Sequence, residues 1–421
     1  MSFSKLEFLS IYPQGRCFLK HAIARNKSIM SGPAYSRPCV DLEFAEQLVR
    51  KLYNFERISE IKELDSFSDR NFYVRGHKRI TGQEEVASNF YPNHLEQGEY
   101  VLKILNSDDS KHGDLVEAEN AAMYFLRERG FPCPLLFPLA GGVDTKSLVR
   151  IPVSSNAKCA ANKNNIQTAE YEWCIARLIS FLPGQTARSL ERKMSFENLF
   201  MVGKFIGNLS KAFQDFKSPV SLVKSDRWCI ENLVSLESCV SSIEGEENKK
   251  LVRDVLDRFA TSVTPKISFL RLGTIHNDLT DTNLLFDTNF GELRISGLID
   301  FGDIRLSCYL FELATAVASF TKEDDVFVSS GYFISGYEAV FPLTSQEFEL
   351  LYDVICARLC QVFLITSETE KECPNNEYVK KLKMDYLMKL KAWSSNSRDE
   401  VMSVWRKIGR HRHKLYQAYT E

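Results

Sequence analysis

Three polar side chains near residue 280 have the types and the spacing that phosphoryl transfer needs. The stretch Gly273–Asp303 contains His276-Asn277-Asp278, then Asn283 five positions after Asp278, and later Asp300-Phe301-Gly302. In this chemistry one carboxylate orients the attacking hydroxyl, while other oxygens hold Mg²⁺ against the phosphates. H-N-D-x-x-x-x-N followed by D-F-G is the order in which these groups are expected. We predict that Asp278 orients the hydroxyl, and that Asn283 and Asp300 hold Mg²⁺.

A β-hairpin is predicted to bring these groups together. Two apolar runs, Leu284–Phe286 and Ile295–Ile299, indicate paired strands with a turn at Asp287–Gly291. Asp278 and Asn283 then lie on the loop at one end of the hairpin, and Asp300 follows the returning strand. His276 is expected to support the loop through hydrogen bonds rather than to act as the base.

A second group of candidates lies upstream, on a predicted strand and helix. Lys103 is a lone cation in the strand Glu99–Leu105, and an inward lysine is unfavourable unless it is paired. We expect it to contact the nucleotide phosphates and an acid of the helix Asp114–Arg129. Glu117 and Glu119 are both available, about 200° apart around the helix. Glu119 lies along the apolar stripe and is therefore the favoured partner of Lys103. The alternative is that Lys103 faces solvent and has no such partner.

Two turns complete the predicted nucleotide site. The polar turn Asp65–Asn71 precedes a strand at Phe72 and is expected to cover the phosphates, with Ser66, Ser68 and Asn71 approaching them. The strand Glu170–Leu182 ends in Pro183-Gly184, which we interpret as a lobe boundary. There the main chains of Ser180 and Leu182 are assigned to the purine edge. An ordinary hairpin turn and an ordinary loop are the alternatives.

Composition limits the classes of function. The chain has 421 residues, which suggests two or three domains or one bilobal unit, and its 44% of hydrophobic residues is enough for a packed core. A net charge of −2 argues against nucleic acid as a partner. The 11 cysteines are scattered without metal-ligand spacing, and their odd number favours a reducing compartment. No apolar run approaches the ~18 residues of a membrane span, so no membrane partner is expected.

Helical periodicity dominates the chain after residue 185. The predicted helices there are Phe196–Phe216, Arg227–Ile243, Asn248–Thr261, Tyr309–Phe320, Asp324–Val340, Ser345–Thr366, Asn376–Trp393 and Asp399–Tyr419. A helix from Asp41 and short strands near Arg57–Leu64, Leu135–Leu139 and Ser147–Val153 are predicted upstream, with a polar surface insertion at 75–98. Residues 1–40 are rich in Ser, Lys and Arg and are expected to form a disordered extension, with a mitochondrial targeting segment as the alternative.

At these motifs the chain resembles the aminoglycoside phosphotransferase / choline kinase-like family. That family carries H-G-D-x-x-x-x-N, I-D-F and commonly L-P-G at the hinge, and the resemblance runs from about residue 40 to 410. It implies an α+β, bilobal protein-kinase-like fold, with a small antiparallel-sheet N-lobe at 41–182 and a larger, mostly helical C-lobe at 183–421. Asn277 stands where the family usually has glycine, so it must adopt a glycine-like backbone or point out of the loop.

The resemblance also implies a substrate class. Within the family the chain is most similar to a branch that uses GTP and 5-hydroxy-L-lysine, and ATP is the alternative donor. Asp303, and less directly Glu312, are the candidate carboxylates for the acceptor's amines, although a structural role is equally open for Glu312. Choline, ethanolamine, homoserine or a sugar remain alternative acceptors. A catalytically silent pseudokinase is a further alternative, and a protein kinase is disfavoured because an A-P-E motif is missing. We expect a cytoplasmic protein; no oligomeric state is predicted.

Overall fold

The protein divides into two compact units in this computed structural model. It describes residues 37–78, 97–140, 148–154, 171–190, 194–288, 293–321, 326–372 and 374–410. One unit, here called the N-lobe, holds the described residues up to Gly184 together with Ser296–Ile299. The other, the C-lobe, holds the described residues from Gln185 to Ile295 and from Asp300 onward. Most of the predicted N-terminal extension, up to residue 36, and most of the predicted insertion, 79–96, lie outside the described residues.

The N-lobe is built on one antiparallel sheet. Its strands follow the order β1-β2-β3-β6-β4, and β5 pairs with the same edge of β6 as β4 does. The strands are β1 Phe55–Leu64, β2 Arg70–Lys78, β3 Gly98–Ile104, β4 Leu136–Phe137, β5 Val149–Ser154 and β6 Tyr171–Ser180. The predicted small antiparallel sheet is therefore confirmed, although β2 continues through residues 75–78, which were predicted to be part of the insertion.

Two helices complete the N-lobe. Helix α1, Leu42–Tyr53, begins where Asp41 accepts a hydrogen bond from the Phe44 N–H at 2.8 Å, because such a cap satisfies an N–H that has no partner inside the helix. Its apolar face joins the core that the sheet forms. Helix α2, Gly113–Arg127, follows β3 after a short 3₁₀ turn and buries Glu119 at 4% exposure.

Five short strands carry the predicted catalytic region; four belong to the C-lobe, and the strand Arg294–Leu298 has its residues from Ser296 onward in the N-lobe. They are β7 Gln185–Thr186, β8 Leu272–Ile275, β9 Leu284–Asp287, β10 Arg294–Leu298 and β11 Arg305–Cys308. β9 has β7 and β10 as neighbours, while β11 pairs with β8. The two predicted hairpin strands therefore lie side by side in one sheet. Residues 289–291 of the predicted turn lie outside the described residues.

The rest of the C-lobe is helical, as predicted. Its α-helices are α3 Phe196–Phe213, α4 Glu246–Arg258, α5 Tyr309–Phe320, α6 Val326–Glu338, α7 Ser345–Glu372, α8 Glu377–Ser394 and α9 Arg398–Arg410. One helix differs in type: Ile230–Ser242 is a 3₁₀ helix, where apolar periodicity predicted an α-helix over Arg227–Ile243. Periodicity alone cannot separate the two, because tertiary contacts decide how tightly a short helix winds.

Close helix packing defines the C-lobe core. A side-chain Cβ at Gly203 of α3 would lie 2.0 Å from the carbonyl oxygen of Phe333 in α6, and one at Gly336 would lie 2.0 Å from that of Phe200. Glycine is therefore required for these two helices to approach. Helix α5 is buried on every side, including its polar residues Glu312, Thr315 and Ser319. In the described part of the chain, no helix is both long and apolar enough to cross a membrane.

Candidate active site

The loop after β8 is held in place by a buried carboxylate of α5. Glu312 is 1% exposed and accepts hydrogen bonds from the main-chain N–H groups of His276 at 2.8 Å and Asn277 at 2.7 Å. Asn277 has φ +67°, the left-handed conformation that glycine adopts freely and that asparagine tolerates best among the other residues. The asparagine that replaces the family's glycine thus keeps a glycine-like backbone.

His276 supports this loop from inside. Its side chain is fully buried, and its Nδ1 accepts a hydrogen bond from the Asp278 N–H at 3.4 Å. The centre of its ring lies 4.7 Å from the centre of the Phe301 ring, which links the H-N-D loop to the D-F-G turn. This geometry suits a residue that positions the loop.

The far end of the loop is anchored by a charged network. Arg188 donates to both carboxylate oxygens of Asp281, with Nη2 at 3.0 Å from Oδ1. The main-chain N–H of Asp281 donates to Ser319 Oγ at 2.9 Å. Charge-assisted, bidentate contacts of this kind have a defined geometry. The segment that carries Asp278 is therefore fixed on both sides.

Asp278 and Asn283 are brought together as their spacing predicted. The Asn283 Nδ2 group donates to the main-chain oxygen of Asp278 at 2.9 Å and to its Oδ2 at 2.6 Å. Both Nδ2 hydrogens are therefore used on Asp278. The amide oxygen Oδ1 is turned to the other side and accepts no hydrogen bond from the described residues.

The donor atoms near Asp300 fit a hard divalent cation. Asp300 is exposed, and its φ of +63° is a conformation that only glycine adopts without strain. Its carboxylate and the open Oδ1 of Asn283 are both hard oxygen donors. The described residues contain no cluster of three or more His, Cys, Asp or Glu able to hold a metal. Two protein oxygens with water and phosphate oxygens completing the shell is how Mg²⁺ is usually bound beside nucleotides.

Asp278 has an unusual electrostatic environment. Loss of hydration, followed by repulsion from Asp303, raises its pKa to about 7, while attraction to Arg358 opposes the shift. The Arg358 Nη2 lies 3.8 Å from Asp278 Oδ1. A cation bound by neighbouring oxygens would favour the ionised form of Asp278 in the same way as Arg358 does.

The two predicted acceptor carboxylates have different surroundings. Glu312 uses both its oxygens on main-chain N–H groups, which supports the structural role that the sequence left open for it. Asp303 is 38% exposed, and its Oδ1 accepts from Arg305 Nη2 at 3.0 Å. Arg305 itself is buried and also donates to Asp226 at 3.1 Å. Asp303 is thus held near Asp278 by a fixed cation, and its contact with an acceptor amine stays a prediction.

In the N-lobe, Lys103 is buried and ion-paired. Its Nζ lies 3.2 Å from Asp69 Oδ2, and the residue is 6% exposed. Asp69 is fixed through its other oxygen, which accepts from the main-chain N–H of Asn106 at 2.9 Å. The turn that precedes β2 therefore supplies a carboxylate to Lys103, a partner that the sequence reasoning missed.

Glu119 also has a partner that was not anticipated. Arg177 of β6 donates to its Oε2 at 2.7 Å and to Asn120 at 2.6 Å, and Arg177 is 2% exposed. Arg177 lies directly across from Lys103 in the β3–β6 register. Glu117 is exposed, so Glu119 is the buried acid of α2. A Lys103–Glu119 pair stays a prediction.

Of the three remaining side-chain candidates for the nucleotide site, Ser66 and Ser68 form hydrogen bonds within the N-lobe. Ser66 Oγ donates to the Asp69 carbonyl, and Ser68 Oγ accepts from Asn106 Nδ2 at 3.3 Å. The Asn71 Oδ1 atom is buried and has no hydrogen-bond partner among the described residues. Their contact with phosphates stays a prediction.

The predicted purine contacts lie at the end of β6. The Ser180 N–H donates to the Leu135 carbonyl at 2.7 Å, so a purine contact through that N–H requires this bond to open. The assignment of the Leu182 main chain also stays a prediction.

Three buried arginines and one aspartate were missed by sequence reasoning: Arg177, Arg305, Arg358 and Asp69. The sequence contained a feature that could have identified two of these four residues. Arg177 and Arg358 are lone charges in apolar runs, the same feature that identified Lys103. Asp69 lies in a polar turn, and Arg305 follows the charged D-F-G-D stretch at the start of β11, so a charge at either position carries no signal.

The fold and the site define a phosphotransferase with a kinase-like bilobal architecture and an alcohol group as acceptor. Residues 77–341 match the model of the phosphotransferase enzyme family, and the chain belongs to that family. Such enzymes use a nucleotide phosphate donor and a divalent metal.

Three proteins of known name have sequences similar to this chain. The chain is 28% identical to a hydroxylysine kinase of Mus musculus, covering 82% of this chain and 86% of that protein. It is 29% identical to a hydroxylysine kinase of Xenopus laevis, covering 84% and 89%. It is 31% identical to a homoserine kinase of Chelativorans sp. (strain BNC1), covering 42% and 52%.

The fold is also seen in solved structures. An amicoumacin kinase in complex with AMP-PNP and Ca²⁺ matches with a TM-score of 0.56 and 13% identity, covering 85% of this chain and 95% of that one. The predicted α+β kinase-like fold is therefore confirmed, as is the similarity to hydroxylysine kinases.

Proposed function

We propose that this protein transfers the terminal phosphate of GTP, with Mg²⁺, to the hydroxyl of 5-hydroxy-L-lysine. The observation that carries the reaction type is the fixed pair of Asp278 and Asn283, whose Oδ2 and Nδ2 atoms lie 2.6 Å apart, with Asp300 within electrostatic range of Asp278. The acceptor is supported by the similarity to hydroxylysine kinases over more than four fifths of the chain. GTP is carried over from that similarity.

Each residue has a distinct task in the proposed reaction. The acceptor oxygen forms a bond to the terminal phosphorus as the bond from phosphorus to the bridging oxygen of the nucleoside diphosphate breaks. The hydroxyl proton passes to Asp278. Asn283 and Asp300 would hold the metal ion, which neutralises charge on the phosphate oxygens. Lys103 would neutralise further charge on the nucleotide.

Orientation is the main contribution of this loop to the rate. Asp278 accepts from Asn283 through Oδ2 and is held through its main-chain N–H by His276. A carboxylate held in this way keeps the acceptor oxygen in line with the transferred group, and positioning of this kind lowers the barrier without covalent chemistry. Asp303 is proposed to attract an acceptor amine, because its carboxylate is 38% exposed.

Homoserine is the second candidate acceptor, favoured by the partial similarity to a homoserine kinase. It shares with 5-hydroxy-L-lysine an amino-acid head and a side-chain hydroxyl. Choline, ethanolamine and aminoglycoside-like sugars lack the carboxylate and serve as comparison acceptors. We further propose a cytoplasmic location, on the cysteine pattern alone.

Phosphate transfer from GTP and from ATP to these five acceptors tests the proposal. We expect 5-hydroxy-L-lysine with GTP to give the highest kcat/KM. Asp278→Asn is expected to reduce kcat by about 10²-fold or more, since positioned acid–base groups contribute at least that, while nucleotide binding is retained. Asp300→Asn is expected to weaken metal-dependent nucleotide binding. Asp254→Asn, an exposed aspartate on α4, is the matched control and should keep the full rate.

Three results would contradict the proposal. Full activity in Asp278→Asn would remove its assigned role. A higher kcat/KM for choline or a sugar than for 5-hydroxy-L-lysine would show that the proposed acceptor is wrong. No transfer to any acceptor, together with no metal-dependent nucleotide binding, would favour the pseudokinase alternative.

A further inference from the structure

Arg358 is a buried cation that faces the catalytic carboxylate from helix α7. It is 3% exposed, and its Nη1 donates to Gln361 Oε1 at 2.9 Å and to the Trp228 carbonyl at 3.4 Å. Its guanidinium also lies over the Trp228 ring, 5.7 Å from the ring centre. Gln361 is in turn fixed by donating to the carbonyls of Arg227 and Cys229. The guanidinium is thus held rigidly.

One end of this guanidinium is not satisfied. Nη2 makes no hydrogen bond to the described residues, and the carboxylate nearest to it is Asp278 at 3.8 Å, beyond hydrogen-bond distance. Nε is buried without a partner. A buried guanidinium normally has its donors paired, because leaving them unpaired costs stability. Such an arrangement suits an anion that arrives with a ligand.

The position of Nη2 indicates which of two anions it binds, a group of the acceptor or the transferred phosphoryl group. Asp278 Oδ2 accepts from Asn283, the residue assigned to the metal, whereas Arg358 approaches the opposite oxygen, Oδ1. Arg358 therefore lies on the side of Asp278 that is turned away from Asn283. Tyr386, which is 3% exposed, is within electrostatic range of both Arg358 and Asp278. An acceptor group fits this side better than the transferred phosphoryl group does.

We propose that Arg358 determines acceptor specificity by binding the carboxylate of a hydroxy amino acid whose hydroxyl lies at Asp278. The inference rests on the proposed function and goes further by assigning a residue to the acceptor's carboxylate. A hydroxyl on Asp278 and a carboxylate on Nη2 each add about 2.8 Å to the 3.8 Å between these groups. They are thus separated by at most about 9 Å. The hydroxyl and carboxylate of 5-hydroxy-L-lysine are separated by roughly 6–7 Å in an extended chain of standard bond lengths.

The first test needs no substitution. The wild-type protein is assayed with 5-hydroxy-L-lysine, with its neutral primary amide and with its decarboxylated amine. A charge-assisted bond contributes about 1.5–3 kcal/mol, so kcat/KM is expected to fall by about 10- to 100-fold for both analogues. Equal kcat/KM for all three would overturn the inference while leaving the proposed function intact. Transfer to none of them, or to any other acceptor, would instead refute the proposed function.

The second test assigns the effect to Arg358. Arg358→Gln removes a charge that favours ionised Asp278, so kcat/KM is expected to fall for every acceptor. The fall for 5-hydroxy-L-lysine is expected to exceed that for the decarboxylated amine by about 10- to 100-fold, so that the preference for the carboxylate disappears. Arg358→Lys keeps the positive charge but loses the planar pair of N–H donors, so it should restore part of the preference for 5-hydroxy-L-lysine over the decarboxylated amine. An equal loss on both acceptors would mean that Arg358 serves the phosphoryl group or Asp278 itself, and would overturn the inference. If Arg358→Gln does not fold, the three-acceptor comparison and Arg358→Lys still decide.

Discussion

Replacing Glu312 with glutamine tests how the catalytic loop is held. In the wild-type protein the two carboxylate oxygens accept from the His276 N–H at 2.8 Å and the Asn277 N–H at 2.7 Å. Glutamine has almost the same shape but offers one oxygen and one NH₂ group. One of the two buried N–H groups must then face another donor. An unsatisfied buried N–H costs about 1–3 kcal/mol, which is the destabilisation expected at pH 5.

The pH dependence of this cost has a definite sign. Burial, opposed by the two N–H groups, raises the pKa of Glu312 from 4.5 to about 7. Between these values the unfolded chain binds fewer protons than the folded one, so wild-type stability falls as pH rises. The variant lacks this titration. A shift of that size corresponds to about 3 kcal/mol, so the cost of Glu312→Gln should decrease from pH 5 to pH 8 by up to this amount.

Urea unfolding at pH 5 and pH 8 measures the destabilisation and its pH dependence. The value of kcat at pH 8 reports whether the loop still positions Asp278. We expect kcat to fall at least tenfold even where stability is nearly unchanged, because one loop N–H has lost its acceptor and Asp278 shifts with it. Glu237→Gln removes an exposed carboxylate of the C-lobe and should change stability by less than about 0.5 kcal/mol. A cost that increases with pH would refute the reasoning, since it would mean that the fold favours ionised Glu312.

Three further predictions concern the core, the N-lobe and the metal. Gly203→Ala places a Cβ 2.0 Å from the Phe333 carbonyl oxygen and should lower Tm, at a cost of about 1–3 kcal/mol or more. Gly409→Ala should be neutral or stabilising, since among the described residues nothing outside its own turn lies within 4 Å of the added Cβ. Equal effects of the two substitutions would contradict the packing argument. Arg177→Met removes the guanidinium 2.7 Å from buried Glu119 and should cost about 3–5 kcal/mol of unfolding free energy, because the buried carboxylate loses this cation. A loss below about 1 kcal/mol would mean that the charge of Glu119 does not depend on Arg177 for its compensation. Chelation with EDTA should abolish transfer and Mg²⁺ should restore it, whereas full activity in EDTA would remove the metal from the proposed reaction.

Much of the fold and of the candidate site could be predicted because it is encoded locally. Asp278 and Asn283 lie five residues apart on one loop, so their spacing alone brings them together. The strands β9 and β10 follow from short apolar runs, and the C-lobe helices follow from apolar periodicity. At Asn277 the sequence left two alternatives, a glycine-like backbone or a side chain that points out of the loop, and the structure shows the glycine-like φ of +67°.

What only the tertiary structure decided is the pairing of buried charges across long stretches of sequence. Lys103 pairs with Asp69, Glu119 with Arg177, and Arg358 faces Asp278. A lone charge in an apolar run states that a partner must exist, because an unpaired buried charge is costly. It does not state which partner, since that depends on strand register and on how helices pack. The residue types were therefore set by the sequence, and their partners by the fold.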